Sequence, residues 1–209
     1  MYGDLQLVGL YKKNIPYSQN LIVCPMATLC SELKDTFKVG GQNCHQEKEG
    51  AFTGEISPLS LKEVGCEYVL LGHSERRKYF GETNELVIKK AVTAKECGLT
   101  PIICVGSNSE DIVQIKQDLI QQLPQDSSFI IAYEPTWAIG TNKIPSLDHI
   151  DQIMQWLANQ GFSQKVYGGS VNSENAQDIH QLCQGLLIGR ASLDIHSVLT
   201  IGKSLEIWN

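Results

Sequence analysis

The residues with the clearest chemical potential lie where a buried strand is expected to end. Residues 128–132 are mostly apolar and partly β-branched, which is typical of a buried strand. Pro135 cannot donate to a strand ladder and restricts the residue before it, so we expect the strand to stop at Glu134. A carboxylate is therefore left at the carboxyl end of a buried strand, with a loop behind it.

That loop is unusually apolar for a surface segment. Residues 137–139 are Trp, Ala and Ile, and they lie between Pro135 and Gly140. An apolar tip of this kind suits a lid that closes over a reacting carboxylate and expels water. A structural turn with an exposed tryptophan is the alternative that the pattern leaves open.

An imidazole follows another predicted strand. His73 comes after the predicted strand 67–71 and Gly72, and charged residues and a helix start follow it. The positive end of a helix dipole disfavours imidazolium, so this position favours a neutral ring. A hydrogen-bonded structural histidine is the alternative.

Two glycine-containing turns have the residues to hold an anion. Residues 167–171 and 187–193 each follow a predicted strand and precede a predicted helix. Glycine lets the backbone approach a ligand closely, and helix N-termini present free N–H groups to anions. Two such turns side by side form an anion cradle that needs no lysine, although each turn alone is a weak signal.

Short apolar runs alternate with amphipathic stretches along the chain. The predicted strands are 21–24, 38–43, 67–71, 101–105, 128–134, 165–167 and 186–188. Predicted helices are 4–13 in front of the first strand, then 27–34, one that opens at Ser57 and Pro58, 82–96, 110–123, 147–160, 173–182 and 191–201. Seven β-α units predict an α/β fold with a parallel sheet that is covered on both faces.

A doubly wound open sheet and a (β/α)₈ barrel both fit this alternation. No Gly-x-Gly-x-x-Gly follows the first strand, which weakens the nucleotide-binding open sheet. Polar residues or glycines follow several different strands, and barrels collect their sites at carboxyl strand ends. The pattern therefore favours the barrel, as one domain over residues 1–209.

Composition and charge exclude several classes of partner. The 209-residue chain has a net charge of −6, so no broad basic surface invites nucleic acid. No apolar run approaches the roughly 20 residues of a membrane span, and the start lacks a signal-peptide pattern. The 7 cysteines predict free, mostly buried thiols in a reducing cytoplasm rather than disulfides or a zinc site.

Four of these stretches together resemble the triosephosphate isomerase family. Residues 133–141 resemble its glutamate and lid segment, 69–77 its histidine segment, and 167–171 and 187–193 its phosphate-binding turns. The resemblance, dense from about Val39 onward, implies a (β/α)₈ TIM-type barrel. It also implies the interconversion of dihydroxyacetone phosphate and D-glyceraldehyde 3-phosphate in glycolysis and gluconeogenesis, with no metal or organic cofactor.

The resemblance implies a role for each side chain of the site. Glu134 would abstract a proton from the carbon beside the carbonyl and form an enediolate, and His73 would polarise the carbonyl oxygens and shuttle protons. A glutamate base paired with a neutral histidine is the established arrangement in that family. Glu75 matches a family position that supports the site from just behind the histidine.

By the same resemblance, backbone N–H groups would hold the substrate phosphate. The donors are Gly140 from the closed lid, Ser170, Gly189 and Arg190. The family usually has glycine where this chain has Arg190. An arginine there costs about 1 kcal/mol if the backbone needs a positive φ. Otherwise its amide serves equally well.

Residues 42–44 and 50–55, at the two ends of the polar loop 44–53, resemble the third βα segment of the family, whose long loop inserts into a second subunit. In the family, the threonine at the position of Thr53 reaches the partner's active site. The resemblance therefore implies an isologous homodimer. A loop that is simply solvated is the alternative, because residues 46–49 are all polar or charged.

The front of the chain departs from the family, which begins with a strand that ends in Asn-x-Lys. If residues 1–3 follow that lysine, residues 4–14 form the first helix, and the strand and its lysine are absent. If residues 7–14 are the strand instead, Lys12 is the catalytic lysine. Only six residues then separate Asn14 from Leu21, whereas a parallel crossover needs a dozen or more.

We therefore expect a barrel that lacks its first strand, which a shortened start would explain. Such a barrel has a gap in its ring, and loss of a preorganised cation weakens catalysis. The alternative function is a catalytically impaired dimeric barrel that binds triose phosphates or acts as a partner scaffold.

Overall fold

The fold is a parallel sheet of seven strands that are paired in the order in which they occur along the chain. The computed structural model describes residues 2–139 and 143–208. The strands are β1 (Ile22–Val23), β2 (Lys38–Gly41), β3 (Cys66–Leu71), β4 (Thr100–Ser107), β5 (Ile130–Pro135), β6 (Lys165–Tyr167) and β7 (Gly185–Leu186). Each predicted strand is present, and most boundaries agree within a few residues.

Helices connect successive strands, as the alternation predicts. They are α1 (Leu5–Asn14), α2 (Cys30–Leu33), α3 (Pro58–Glu63), α4 (Ser74–Phe80), α5 (Asn84–Glu96), α6 (Ile112–Ile120), α7 (Leu147–Asn159), α8 (Ala176–His180) and α9 (Ile195–Ser204). Two 3₁₀ segments, Ala27–Leu29 and Arg190–Leu193, precede α2 and α9. None of the helices in the described ranges has the length and apolar character that crossing a membrane requires.

Most helices begin where a side chain accepts hydrogen bonds from the free N–H groups of the first turn. Ser57 caps α3, with Pro58 at its first turn, as the sequence predicts. The other side chains that cap helices in this way are Asp4, His73, Thr83, Asp111, Ser146 and Asp194.

The front of the chain is helical. Asp4 accepts a hydrogen bond from the N–H of Leu7 and starts α1, so the predicted helix over residues 4–14 is confirmed and the alternative of a strand over residues 7–14 is wrong. Lys12 is on this helix, where its Nζ lies 3.6 Å from a carboxylate oxygen of Glu32 on α2. In the described part of the chain, no strand precedes β1.

Strand β5 ends one residue later than predicted. Pro135 still pairs in register with Ser107 of β4. The N–H of Thr136 donates to the Ser107 carbonyl at 3.2 Å, so the chain follows β4 past the proline, which has no N–H of its own.

Both faces of the sheet are apolar. On β4, Ile102 and Cys104 belong to an inner cluster with Leu70 and Ala132, which no helix residue joins. Ile103 packs instead in the larger cluster between the sheet and the helices. Successive residues of a strand face opposite sides, so a sheet that is buried on both faces needs near-continuous apolar strands.

The larger cluster should carry much of the stability of the fold. Ile131 on β5 is fully buried in it, and replacement by alanine removes buried methyl groups and leaves a cavity. We expect Ile131→Ala to lower the free energy of unfolding by about 3 kcal/mol in urea denaturation. Ile120→Ala is the matched control, because Ile120 is 49% exposed, and it should change that free energy by less than about 1 kcal/mol. Equal effects of the two variants would contradict this assignment of the core.

Candidate active site

The predicted site residues meet at the carboxyl end of the sheet. His73 follows β3, Glu134 is the next-to-last residue of β5, Ser170 follows β6, and Gly189 follows β7. All these strands run parallel, so their carboxyl ends lie at the same end of the sheet, where barrel sites are found.

His73 and Glu134 are in direct contact. Nε2 of His73 lies 2.9 Å from Oε1 of Glu134, whose side chain is only 2% exposed. The backbone N–H of Ser74 donates to Oε2 of the same carboxylate at 2.8 Å. The histidine contact has ion-pair distance but not the direction of a hydrogen bond, so Oε1 has no hydrogen-bond donor among residues 2–139 and 143–208.

The contact with Glu134 raises the pKa of the imidazole. Burial lowers the pKa of His73, but the interaction with the Glu134 carboxylate and the nearby charge of Glu75 raise it further, and the net shift is upward. His73 lies directly before α4, as predicted, and the structure shows that it caps this helix, because its Nδ1 accepts from the N–H of Glu75 at 3.4 Å. The helix N-terminus alone would lower the pKa of the ring and so predicted a neutral imidazole. The carboxylate 2.9 Å away raises that pKa instead.

Two glycines leave the space that Glu134 occupies. A Cβ on Gly168 would lie 3.2 Å from Cγ of Glu134, and a Cβ on Gly106 would collide with the Glu134 carbonyl. Glycine at these positions therefore lets β4 and the turn after β6 approach the carboxylate closely.

Arg77 holds the strand ends around the site together. Its guanidinium donates to the carbonyl of Gly72 at 2.8 Å, to the carbonyl of Cys104 at 3.1 Å and to the side chain of Asn84 at 2.7 Å. These bonds join the end of β3, the strand β4 and the start of α5. The planar fork of arginine can make all three bonds at once.

The two glycine-containing turns present free backbone donors. The N–H groups of Ser170, Gly189 and Arg190 donate to no acceptor in the described ranges. Asn175 fixes the first turn, because its side-chain amide donates to the Ser170 carbonyl at 2.9 Å. Gly140, the predicted third contributor, lies outside the described residues.

The first residues of the predicted lid rest on neighbouring elements. The Thr136 hydroxyl donates to the side chain of Asn108 at 2.7 Å. The Trp137 ring packs edge-on against His149 of α7, at a centroid distance of 6.0 Å. The indole N–H of Trp137 is buried and has no hydrogen-bond partner in the part of the chain that is described.

Comparisons with known proteins agree with this geometry. The family model described as "Triosephosphate isomerase" matches residues 6–205. The chain belongs to the triosephosphate isomerase family. A triosephosphate isomerase of Aquifex aeolicus is 42% identical over 212 residues, which cover 89% of this chain and 86% of that protein. One from Ehrlichia chaffeensis is 38% identical over 220 residues, which cover 96% and 92%.

A solved structure agrees as well. The crystal structure of triosephosphate isomerase from Bartonella henselae matches with a TM-score of 0.85 at 30% identity, over 99% of this chain and 95% of that one. This likeness confirms the TIM-type barrel, here with seven parallel strands in the described residues. The family match also reaches forward to residue 6, well before Val39.

The position where the family usually has glycine carries no strain. Arg190 is exposed and begins the 3₁₀ segment. Its φ is not positive, because Glu206 is the one described non-glycine residue with a positive φ. An arginine therefore fits this backbone without cost, and its amide stays available.

The predicted dimer residue is exposed at the surface of the chain. Thr53 is exposed in the loop between β2 and α3. Phe52 beside it packs against His45 at a centroid distance of 4.2 Å with the rings tilted by 38°, and the N–H of His45 donates to the Ile56 carbonyl at 2.8 Å. The loop therefore has an ordered base and an exposed tip.

Sequence reasoning missed the residues that support the site. Arg77 lies inside a recognised motif, but nothing in its spacing indicates that it bonds to Cys104, 27 positions away. Gly106 follows a predicted strand, which signals a close approach without showing that Glu134 is the group approached.

The His73–Glu134 contact makes a testable prediction about charge. In Glu134→Gln the carboxylate that raises the pKa of His73 is gone while burial still lowers it, so we expect the pKa to fall below that of the unaltered protein. Imidazole NMR titration measures this shift, with His196 on α9 as the internal control. Because the pKa of His73 is higher in the folded chain than in the unfolded chain, protonated His73 adds to the free energy of unfolding at low pH. This contribution is fully present below about pH 6.5 and is lost as the pH rises through the pKa of the folded chain. An unchanged His73 titration in Glu134→Gln would rule out the carboxylate as the cause.

Proposed function

We propose that this chain interconverts dihydroxyacetone phosphate and D-glyceraldehyde 3-phosphate, with Glu134 as the base and His73 as the electrophile. The observation that carries the proposal is the buried Glu134 carboxylate 2.9 Å from the His73 ring at the carboxyl end of the sheet. Family membership supports the same reaction. The argument for an impaired scaffold is that no strand precedes β1 in the described residues, and the comparisons give that alternative no support.

The two carboxylate oxygens of Glu134 have different surroundings that suit this role. The Ser74 N–H holds Oε2, whereas Oε1 has no hydrogen-bond donor in the described ranges and is free to accept a carbon-bound proton. The substrate carbon gives its proton to Glu134, and the electron pair moves onto the carbonyl oxygen and forms an enediolate. The proton then returns from Glu134 to the neighbouring carbon, so no net charge is gained.

His73 becomes a better neutral donor when the substrate displaces Glu134 from it. The contact with the carboxylate is the main cause that raises the pKa of His73, and burial opposes it. Once the carboxylate turns towards the substrate carbon, burial and the N-terminus of α4 both favour the uncharged ring. A neutral imidazole then donates to the developing oxyanion and moves the proton between the two oxygens.

The substrate phosphate would lie on the free N–H groups of the turns after β6 and β7. Ser170, Gly189 and Arg190 supply these donors, and Gly140 adds one when the lid closes. Backbone donors at the start of a helical turn suit a dianion, since they carry partial positive charge and need no rearrangement. Closure of the apolar lid over Glu134 would exclude water and protect the enediolate.

The chain should act as a cytoplasmic homodimer of single-domain subunits. The exposed loop that contains Phe52 and Thr53 is the proposed contact, because an ordered base with an exposed apolar tip suits insertion into a partner. All 7 cysteines of the sequence are free thiols, which suits a reducing compartment.

Glu134→Gln tests the reaction. Glutamine keeps the shape of the side chain but cannot take a proton from carbon, so we expect kcat in a coupled isomerase assay to fall by about 10³-fold with KM roughly unchanged. Glu63→Gln on the exposed face of α3 is the control and should leave both constants unchanged. Full turnover by Glu134→Gln would exclude it as the base. An unaltered protein that binds phosphate without any turnover would support the scaffold alternative instead.

Thr53→Arg tests the dimer. A bulky charge at a buried interface is expected to separate the subunits, so the variant should sediment as a monomer at concentrations where the unaltered chain is a dimer. Thr100→Arg is the control, because Thr100 is exposed at the amino end of β4, and it should leave the sedimenting mass of the unaltered chain unchanged. Identical sedimentation of both variants would show that the loop does not form the contact.

A further inference from the structure

Helix α1 is linked by side chains to the elements on both sides of it. On one side, Lys12 pairs with Glu32 of α2 at 3.6 Å. On the other side, the hydroxyl of Tyr11 donates to the carbonyl of Ser192 at 2.5 Å, across 181 positions of sequence. The two elements that α1 connects follow β1 and β7, the strands at the opposite edges of the described sheet.

Tyr11 is well placed to act as a fixed donor. Its side chain is 7% exposed, and its ring packs edge-on against Phe37 at a centroid distance of 6.3 Å. Burial raises the pKa of Tyr11, and the hydrogen bond to Ser192 lowers it less, so the hydroxyl keeps its proton at neutral pH. The ring packing holds the hydroxyl in one position, which makes its bond directional.

The acceptor of that bond belongs to the turn that carries two of the proposed phosphate donors. Ser192 is in the 3₁₀ segment Arg190–Leu193. Its N–H donates to the Gly189 carbonyl at 2.9 Å, and its hydroxyl donates to the same carbonyl at 2.7 Å. Ser192 therefore connects Tyr11 directly to Gly189, whose own N–H points to no acceptor in the described residues.

The turn has little other support from the sheet. It follows β7, which has only two residues and pairs only with β6 in the described part of the sheet. A short edge strand with one neighbour holds a following turn weakly, since half of its ladder is unpaired. A side chain from outside the sheet, bonded to this turn, adds a constraint on the direction of the Gly189 and Arg190 N–H groups that the edge strand does not supply.

We propose that Tyr11 is a positioning residue for the anion-binding turn, because its hydroxyl orients the Gly189 and Arg190 amides through Ser192. The proposal rests on the proposed function, in which those amides hold the phosphate of the substrate. Tyr11 touches no reacting atom, so it acts on phosphate affinity and leaves proton transfer at Glu134 unchanged.

Tyr11→Phe tests the proposal, since it removes the hydroxyl and keeps the ring against Phe37. Loss of one buried hydrogen bond predicts weaker binding of inorganic phosphate, by about 3- to 10-fold in isothermal titration calorimetry. KM for the triose phosphate should rise by a similar factor, with kcat within about twofold of the unaltered chain. Tyr17→Phe is the matched control, because Tyr17 is 58% exposed, and it should change neither constant.

A second measurement separates this proposal from the proposed function. Amide hydrogen exchange at Ser192, whose N–H is bonded to Gly189, should be faster in Tyr11→Phe than in Tyr17→Phe, whether or not the chain turns over substrate. Faster exchange with weaker phosphate binding supports the proposal. Unchanged exchange, unchanged phosphate affinity, or a fall in kcat without a change in KM would each overturn it. If the unaltered chain neither binds phosphate nor turns over triose phosphate, the proposed function fails as well.

Discussion

The site depends on one buried carboxylate that has only part of its hydrogen-bonding capacity satisfied. A carboxylate without compensating partners is costly to bury, so Glu134 needs the Ser74 N–H and the His73 ring to stay at the end of β5. Those two partners are adjacent residues at the start of α4. The strand that carries the base and the helix that carries the electrophile therefore cannot move apart without exposing the charge. Oε1, which faces the His73 ring but receives no hydrogen bond from the described residues, is the oxygen that would take the proton from carbon in the proposed reaction.

The rest of the fold supplies the space and rigidity for this contact. Gly106 and Gly168 let two neighbouring segments approach the Glu134 backbone and side chain. Arg77 joins three separate chain segments by charge-assisted bonds, so its guanidinium keeps β3, β4 and α5 in register at the site. On the other side of the sheet, where β7 has a single neighbour, Tyr11 of α1 supports the turn after it. Precision at the site thus comes from polar bonds between elements that are distant in sequence.

Much of the architecture was predictable because local patterns specify it. Apolar runs marked all seven strands, and the alternation with helices predicted a parallel sheet. The place of His73 between β3 and the start of α4 followed from the apolar run before it and the charged residues after it. Two local inferences needed correction. Strand β5 continues to Pro135 because β4 still accepts the next N–H, and the pKa of His73 is raised because Glu134 outweighs the helix terminus.

The sequence by itself determined which residue types stand at the ends of strands: a carboxylate, an imidazole and two turns with free amides. It did so because hydrophobic periodicity and proline or glycine boundaries act over a few neighbouring residues. Only the tertiary structure decided that Glu134 lies against His73, that the ring gains rather than loses affinity for a proton, and that Tyr11 reaches Ser192. These are properties of distance between groups that are 60 or more positions apart in sequence. Electrostatic and hydrogen-bond energies depend on separations of a few ångströms, which the pairing of the strands sets and the order of residues does not.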